Sequence, residues 1–351
     1  MAITGRRRYN IAIYPSEVDM GKPKVFVTRL IADEALDKVR EATDMKLWED
    51  DLPTPRDVLL REVRDIDGLL CLLTERIDAE LFDAGPNLKV VSNMAVGFDN
   101  IDLEEATRRG IPVGNTPRVL TETTADFAFA LIMAAGRRVV EGDRYTRAGK
   151  WKTWGPKVLL GQDIHGSTLG IIGLGRIGLE MAKRAQGFSM RVIYYDAVVR
   201  NEKAEREYGL EFYPDMMKVL AEADFVTLHV PLNPETRHLI GAKELDAMKP
   251  TASLVNTSRG PVVDPKALYQ ALKGDVIASA ALDVTEVEPI PMDDPLLTLE
   301  NCIVAPHIAS SSVATRTKMG LMAAENLLAG LRGEQPPDCP NPEAMQVRRR
   351  S

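Results

Sequence analysis

Cysteine, histidine and long apolar runs are scarce in this chain, and each scarcity removes a class of function. Three cysteines, Cys71, Cys302 and Cys339, lie far apart in 351 residues. An odd, widely spaced set builds neither a disulfide framework nor a metal-ligand cluster, so no metal is expected and a reducing, cytoplasmic setting is. No apolar stretch approaches the roughly 18 residues of a membrane span. The first residues lack the apolar region of a signal peptide, and Glu17 and Asp19 stand against a transit peptide. Positive charge is not in excess either: 44 Lys and Arg against 51 Asp and Glu leave a net charge of −7. That balance offers no basic field for nucleic acid or a membrane surface. Two short arginine runs, 6–8 and 348–350, read as solvated tails. The segment "MGKPKVFVTR" at Met20 looks like a more natural beginning than Met1, which makes residues 1–21 an N-terminal extension.

What is present is enough for two cores. The length exceeds the roughly 100–200 residues of one domain, and a hydrophobic fraction of 45% is ordinary for a globular chain. "KVFV" alternates like a strand, "DEALDKVREA" has helical spacing, and "DGLLCLL", "DAELFDAG" and "LKVVSNMA" continue as strand, helix and strand. Alternation of this kind implies a parallel sheet with helices on both faces. From Thr121 the texture changes to "TETTADFAFALIMAAGRRVVEGDRYTRAG". This reads as one helix of over twenty residues, capped by Thr121 or Thr123, that marks a domain boundary. A second β/α series follows: "STLGIIGLG", "RVIYYD", "ADFVTLHV", "ASLVNTS", "IASAALDV" and "NCIVAP". A last helix then ends at glycine.

Within that series, Gly173-x-Gly175-x-x-Gly178 follows an apolar strand and opens a helix, the context in which this spacing cradles a dinucleotide pyrophosphate. The first glycine makes the tight turn, the second admits the phosphates, and the third lets helix and strand approach. The helix N-terminus adds amide donors and partial positive charge. Asp196 closes the next strand, where an acid accepts from both ribose hydroxyls and repels a 2′-phosphate. NAD is therefore expected as cofactor, NADH in preference to NADPH.

Of the four histidines, His165 reads as a surface residue, His238 as one that caps or packs a helix, and His229 as structural or supporting. His307 differs. It follows "CIVAP", at the carboxyl end of a strand, and open α/β sheets bind ligands beyond those ends. Arg259 emerges from "LVNTSRGPVVD" and Asp283, Glu286 and Glu288 from "ALDVTEVEPIPMDDP", on the same edge. Hydride delivered to a ketone leaves negative charge on oxygen, which needs a proton donor. Histidine, with an ordinary pKa of about 6.5, suits that task. A neighbouring carboxylate favours the imidazolium. Arginine's planar fork grips a carboxylate at two points and aligns the carbonyl carbon. Arg, an acid and His are what a 2-oxo acid reductase requires.

Over residues 24–342 the chain resembles the D-2-hydroxyacid dehydrogenase family. The motifs "NMAVGFDNID", "TPRVLTETTADFAFAL", "GIIGLGRIG", "VNTSRGPVVD", "ALDVTEVEP" and "APHIAS" occur in that family's order. Several stretches are most similar to glyoxylate/hydroxypyruvate reductases. The resemblance implies an α/β fold, with a Rossmann-type NAD-binding domain (120–308) inserted into a discontinuous flavodoxin-like substrate domain (22–119 and 309–345). It implies Arg259, Glu288 and His307 as the catalytic set, and backbone at Val96 and Gly97 holding the substrate carboxylate together with Arg259. Thr124 and Asp283 would lie by the nicotinamide. Gly173, Gly175, Arg176, Ile177, Gly178 and Asp196 would meet phosphates and ribose, and Val230, Pro231, Thr236 and Thr257 would line the rest of the crevice. It also implies a homodimer centred on the helix at 124–147.

The implied activity is NAD(P)H-dependent reduction of a small 2-oxo acid, glyoxylate to glycolate or hydroxypyruvate to D-glycerate. Two alternatives stand beside it. One is another member such as D-3-phosphoglycerate dehydrogenase, which would need an extra cation such as Arg76 or Arg118. The other is an NADH-sensing, corepressor-like binding protein. The chain departs from relatives at Arg118, where glycine is common. Val96 stands where phosphite-oxidising relatives carry lysine. Trp151 and Trp154 read as packing at a dimer interface, or as one side chain reaching the substrate pocket of a partner subunit.

Overall fold

The computed structural model describes residues 21–348. The extension expected at 1–21 therefore lies almost wholly outside the described residues, as does most of the arginine tail. Arg348 itself is not a free tail: its Nη1 donates to the carbonyls of Lys89 and Gly330.

Two parallel sheets organise the chain. The first holds β1 (Lys24–Val27), β2 (Asp44–Leu47), β3 (Gly68–Cys71), β4 (Val90–Asn93) and β5 (Val113–Gly114), in the order β2-β1-β3-β4-β5. The second holds β6 (Thr168–Ile172), β7 (Arg191–Tyr195), β8 (Glu211–Phe212), β9 (Phe225–Leu228), β10 (Ser253–Asn256), β11 (Ser279–Leu282) and β12 (Cys302–Val304), in the order β12-β11-β10-β9-β6-β7-β8. The first order is the flavodoxin-like one, and the second is a Rossmann order with one further strand. Both match the expected α/β class.

Successive residues of a strand face opposite sides of a sheet, and here each side is a core. In β1, Phe26 packs with Leu59, Leu81 and Phe82, whereas Val25 and Val27 pack with Leu36, Val39 and Leu327. In β6, Leu169 and Ile171 meet Phe129, Ile132 and Met181, whereas Ile172 meets Val219, Leu228 and Leu254. With both faces covered, the strands read as unbroken apolar runs instead of alternating ones. The carboxyl-terminal helix Val313–Leu331 returns to the first sheet, its Leu327 lying against Gly68 of β3.

The long helix expected from Thr121 is two. The first spans Thr121–Gly136 and the second Val139–Arg147, separated by Arg138 in a left-handed conformation with φ of 51°. The Gly136 carbonyl accepts from the Gln162 amide. A side chain at Gly136 would press on Phe225 and Ile164. The crossing with the returning segment therefore ends the helix where composition alone would extend it. Neither threonine caps it: Leu120 is the N-cap, and Thr123 pairs through its hydroxyl with Thr315 at 2.6 Å, tying this helix to Val313–Leu331.

Candidate active site

Parallel pairing of β9, β10, β11 and β12 brings their carboxyl ends to one edge. The segments that leave that edge carry the candidate residues. His307 follows β12 with a φ of 54°, a conformation uncommon for a residue with a side chain and concentrated at functional positions. Its amide donates to the Asp283 carbonyl at 2.9 Å. Its Nδ1 lies 2.6 Å from Glu288 Oε2, while Glu288 Oε1 accepts from the Thr285 amide at 3.2 Å. With Nδ1 so engaged, Nε2 is the ring nitrogen left without a partner among the described residues. Both side chains are partly exposed, 27% for His307 and 34% for Glu288.

Asp283 supports this arrangement from below. It is buried, and its two carboxylate oxygens accept from the amides of Ile308 at 2.7 Å and Ala309 at 2.8 Å. Burial pushes its carboxyl above the ordinary carboxylate range, against the pull of those two amides. Of the three acids past β11, Glu288 meets His307. Glu286 turns away to Arg237 at 2.8 Å and His238 at 3.2 Å.

Arg259 leaves β10 through a braced turn. Asn256 Nδ2 donates to the Arg259 carbonyl at 2.9 Å, and Asn256 Oδ1 accepts from the Ser258 amide and hydroxyl. The guanidinium crosses to the other sheet, where its Nε and Nη2 each lie 3.1 Å from Asp99 Oδ1. The loop holding Asp99 also carries Val96 and Gly97. Asn115 Nδ2 donates to the Val96 carbonyl at 2.8 Å and Asn93 Nδ2 to that of Gly97 at 3.1 Å. The carbonyls are thereby fixed, and the amides of Val96 and Gly97 have no acceptor among the described residues. A side chain at Gly97 would overlap Arg259 Nη2, so only glycine lets the guanidinium lie on this loop.

The dinucleotide elements lie at the end of β6. Gly173 has a φ of 93°, and a Cβ there would sit 2.8 Å from the His229 carbonyl oxygen. Gly175 faces open space, with nothing within 4 Å of a Cβ position, and a Cβ at Gly178 would strike the Gly173 carbonyl. Turn, open approach and close packing thus fall on the three glycines in that order. The helix Arg176–Gln186 begins at this loop, with Arg176 exposed and Ile177 half-buried. Asp196 lies beside the loop: its Oδ2 accepts from the Leu174 amide at 2.9 Å and its Oδ1 from the amides of Val198 and Val199. Thr257, 8% exposed, has a buried hydroxyl with no partner among the described residues. An orphaned hydroxyl beyond β10, with the open glycine, fits an absent polar ligand.

Thr124 is buried in the first turn of its helix. Val230, Pro231 and Thr236 follow β9 in a turn closed by Thr236 Oγ1 donating to the Pro231 carbonyl at 2.6 Å. His229, next to them, pairs with Thr227 Oγ1 at 2.9 Å, and burial pushes its pKa down to about 3. That shift keeps its ring neutral at ordinary pH. His165 is exposed. His238, with a φ of 53°, is a loop residue paired to Glu286 and caps no helix. A cavity of about 160 Å³ beneath the Glu288 loop, lined by Leu268, Val284, Ile290 and Leu296 among others, includes neither His307 nor Arg259.

Sequence reasoning missed Asp99, Asn93, Asn115 and Asn256. The acid stands inside the quoted "VGFDNID", where nothing local distinguishes it from a surface turn residue. Arg76 and Arg118, considered for a phosphate, are occupied. Arg76 Nε lies 2.7 Å from Asp78, and Arg118 pairs with Asp338. Arg118 also adopts a φ of 71°, a conformation glycine takes without steric cost.

A family model for the NAD binding domain of D-isomer specific 2-hydroxyacid dehydrogenases matches residues 129–309. A glyoxylate reductase of Korarchaeum cryptofilum is 58% identical over 328 residues, covering 93% of this chain and 98% of that protein. Among solved structures, the TT0316 protein of Thermus thermophilus superposes with a TM-score of 0.85 at 45% identity, over 90% of this chain and 99% of that one. An NADPH-dependent glyoxylate/hydroxypyruvate reductase of Sinorhizobium meliloti, in complex with NADP and malonate, gives 0.80 at 32% identity, over 92% and 98%.

The glycine geometry separates two kinds of damage. Gly175→Ala, whose methyl meets nothing in the protein, should leave the melting temperature unchanged and weaken NADH binding by roughly tenfold or more, about 1.4 kcal/mol. Gly178→Ala should lower the melting temperature as well. Calorimetry and fluorescence titration of both variants would show it, and equal effects on stability would refute the distinction.

Proposed function

The chain belongs to the family of D-isomer specific 2-hydroxyacid dehydrogenases, and on that premise we propose that it reduces glyoxylate, and hydroxypyruvate as a second small 2-oxo acid, with NAD(P)H. The observation carrying the reading is the 2.6 Å contact between His307 Nδ1 and Glu288 Oε2 on the edge that also bears Arg259. A reduced nicotinamide dinucleotide, its pyrophosphate held at the Gly173–Gly178 loop, would supply a hydride. The chain's own residues do the rest. Arg259 and the free amides of Val96 and Gly97 hold the substrate carboxylate and so fix the carbonyl. Glu288 holds Nδ1–H, which leaves the imidazolium proton on Nε2 as the one to pass to the carbonyl oxygen. The ring ends neutral, still bonded to Glu288, and is reprotonated from solvent, to which it is partly open. Asp283 keeps the His307 loop against β11 and, with Thr124, would lie by the nicotinamide.

The lobes enclosing this site are assigned to 22–119 with 309–345, and to 120–308, and the protein to the cytoplasm. The occupied Arg76 and Arg118 favour a small uncharged substituent on the 2-oxo acid over a phosphorylated one. His307→Ala should lower kcat by about 10² or more while the NADH dissociation constant stays within twofold, a split stopped-flow kinetics can read. Equal losses in both would remove His307 as proton donor.

NADH in preference to NADPH rests on Asp196, whose carboxylate is held by three amides beside the phosphate loop. The nearest arginine along the chain, Arg200, is held by both oxygens of Glu205 at 2.8 and 2.7 Å and so does not compensate. Asp196→Ala should shrink the ratio of kcat/KM for NADH over NADPH by roughly tenfold. An unchanged ratio would count against this role.

A homodimer is assigned to the face around the second helix. Val139, Trp151, Trp154, Val158 and Leu160 are 57%, 61%, 80%, 44% and 66% exposed within a short stretch, an apolar concentration that marks an association surface. A Trp151→Ala, Trp154→Ala double variant should sediment as a monomer under conditions where the parent is a dimer. Retained dimerisation would place the interface elsewhere.

A further inference from the structure

Asp99 does not touch the reacting atoms in the reading above, yet among the described residues it makes the one ion pair that joins Arg259 to the opposite lobe. The guanidinium carries five N–H donors. Nε and one N–H of Nη2 go to Asp99 Oδ1, each at 3.1 Å, and one N–H of Nη1 goes to the Ser258 carbonyl at 2.8 Å. One donor remains on each terminal nitrogen, available to a carboxylate that approaches the end of the fork. Asp99 therefore engages one side of the fork and leaves its end free.

We propose that Asp99 is a positioning residue: it clamps the side edge of Arg259 so that the end of the fork faces the carboxylate of the 2-oxo acid. The proposal rests on the reading of Arg259 as the carboxylate grip. Three features of the loop support it. Gly97 lacks the Cβ that would displace Nη2, so the guanidinium lies directly on the loop. The carbonyls of Val96 and Gly97 are pinned by Asn115 and Asn93, so Asp99 belongs to a fixed frame. The free amides of Val96 and Gly97 belong to that same frame, so Asp99 sets the fork's position relative to the other donors the substrate meets.

A competing role would make Asp99 a stand-in for the substrate carboxylate, displaced on binding. The donor inventory favours the clamp, because Nη1 and Nη2 each keep a donor. The magnitude of the pair favours it too. Asp99 is 43% exposed and Arg259 25%, and a partly exposed ion pair contributes little to folding stability. Its removal should therefore show in substrate recognition and hardly in stability.

The test is steady-state reduction of glyoxylate at saturating NADH by Asp99→Ala, Asp99→Asn and Arg259→Gln, with NADH affinity by fluorescence titration as the measure of an intact fold. Under the clamp, Asp99→Ala raises KM roughly tenfold, with a smaller loss in kcat and unchanged NADH affinity. Asp99→Asn, which keeps an oxygen acceptor for Nε and Nη2, recovers KM to within about threefold of the parent. A lower KM in Asp99→Ala would make Asp99 the displaced competitor and overturn the proposal, as would an unchanged one. So would an Asp99→Asn variant no better than Asp99→Ala. If Arg259→Gln itself left KM at the parent value, the failure would lie in the reading of Arg259, and the role of Asp99 would fall with it.

Discussion

Uniformly parallel pairing is the constraint on which the site depends. In a parallel sheet every strand ends at the same edge, and each crossover returns the chain to start again at the far one. The seven-stranded sheet therefore gathers Gly173, Asp196, Val230, Arg259, Asp283 and His307 from segments far apart in sequence. No special contact is needed to bring them to one side. What needs explaining is fine placement, and that comes from side chains that bond backbone. Asn256 shapes the turn at Arg259, Asp283 holds the amides after His307, and Asn93 with Asn115 hold the loop at Val96 and Gly97.

These same side chains show why the sequence was legible in some places and not in others. Short apolar runs between turn residues announced β1, β3, β4, β6, β7 and β9–β12, because a strand buried on both faces must be apolar throughout, whereas the half-exposed β2 and β8 and the two-residue β5 carry no such run. The helix Asp33–Ala42 was legible in full from its spacing. The glycine loop was legible because each glycine answers a separate steric demand. The break at residues 137–138 was not: Ala, Leu and Met favour continuing the helix, and what stops it is the chain returning at Gln162. The Asp99–Arg259 contact was equally hidden, since it spans 160 residues and two lobes. His307 was legible as a candidate from its place after a strand, but its left-handed backbone, set by the bond to the Asp283 carbonyl, was not.

The charged groups at the cleft come in pairs, His307 with Glu288 and Arg259 with Asp99, and all four remain partly open to water. Exposure of His307 lets the ring regain its proton from water, while the Asp99 side of Arg259 stays engaged and its end takes the substrate. The same pairs strengthen as water leaves a closing site, because the local dielectric falls.

Arginine is the side chain that meets the demand at position 259. It must reach the Ser258 carbonyl, the Asp99 carboxylate and a substrate carboxylate in one plane at once. A guanidinium has five donors in a rigid fork, so three can be fixed by protein while two stay aligned for the ligand. A lysine ammonium has three donors on a rotating head, and engaging Asp99 and Ser258 would leave one N–H with no defined direction. Lysine would keep the charge and lose the alignment. The geometry around Arg259, more than its charge, is what the loop at Gly97 and the turn at Asn256 are built to preserve.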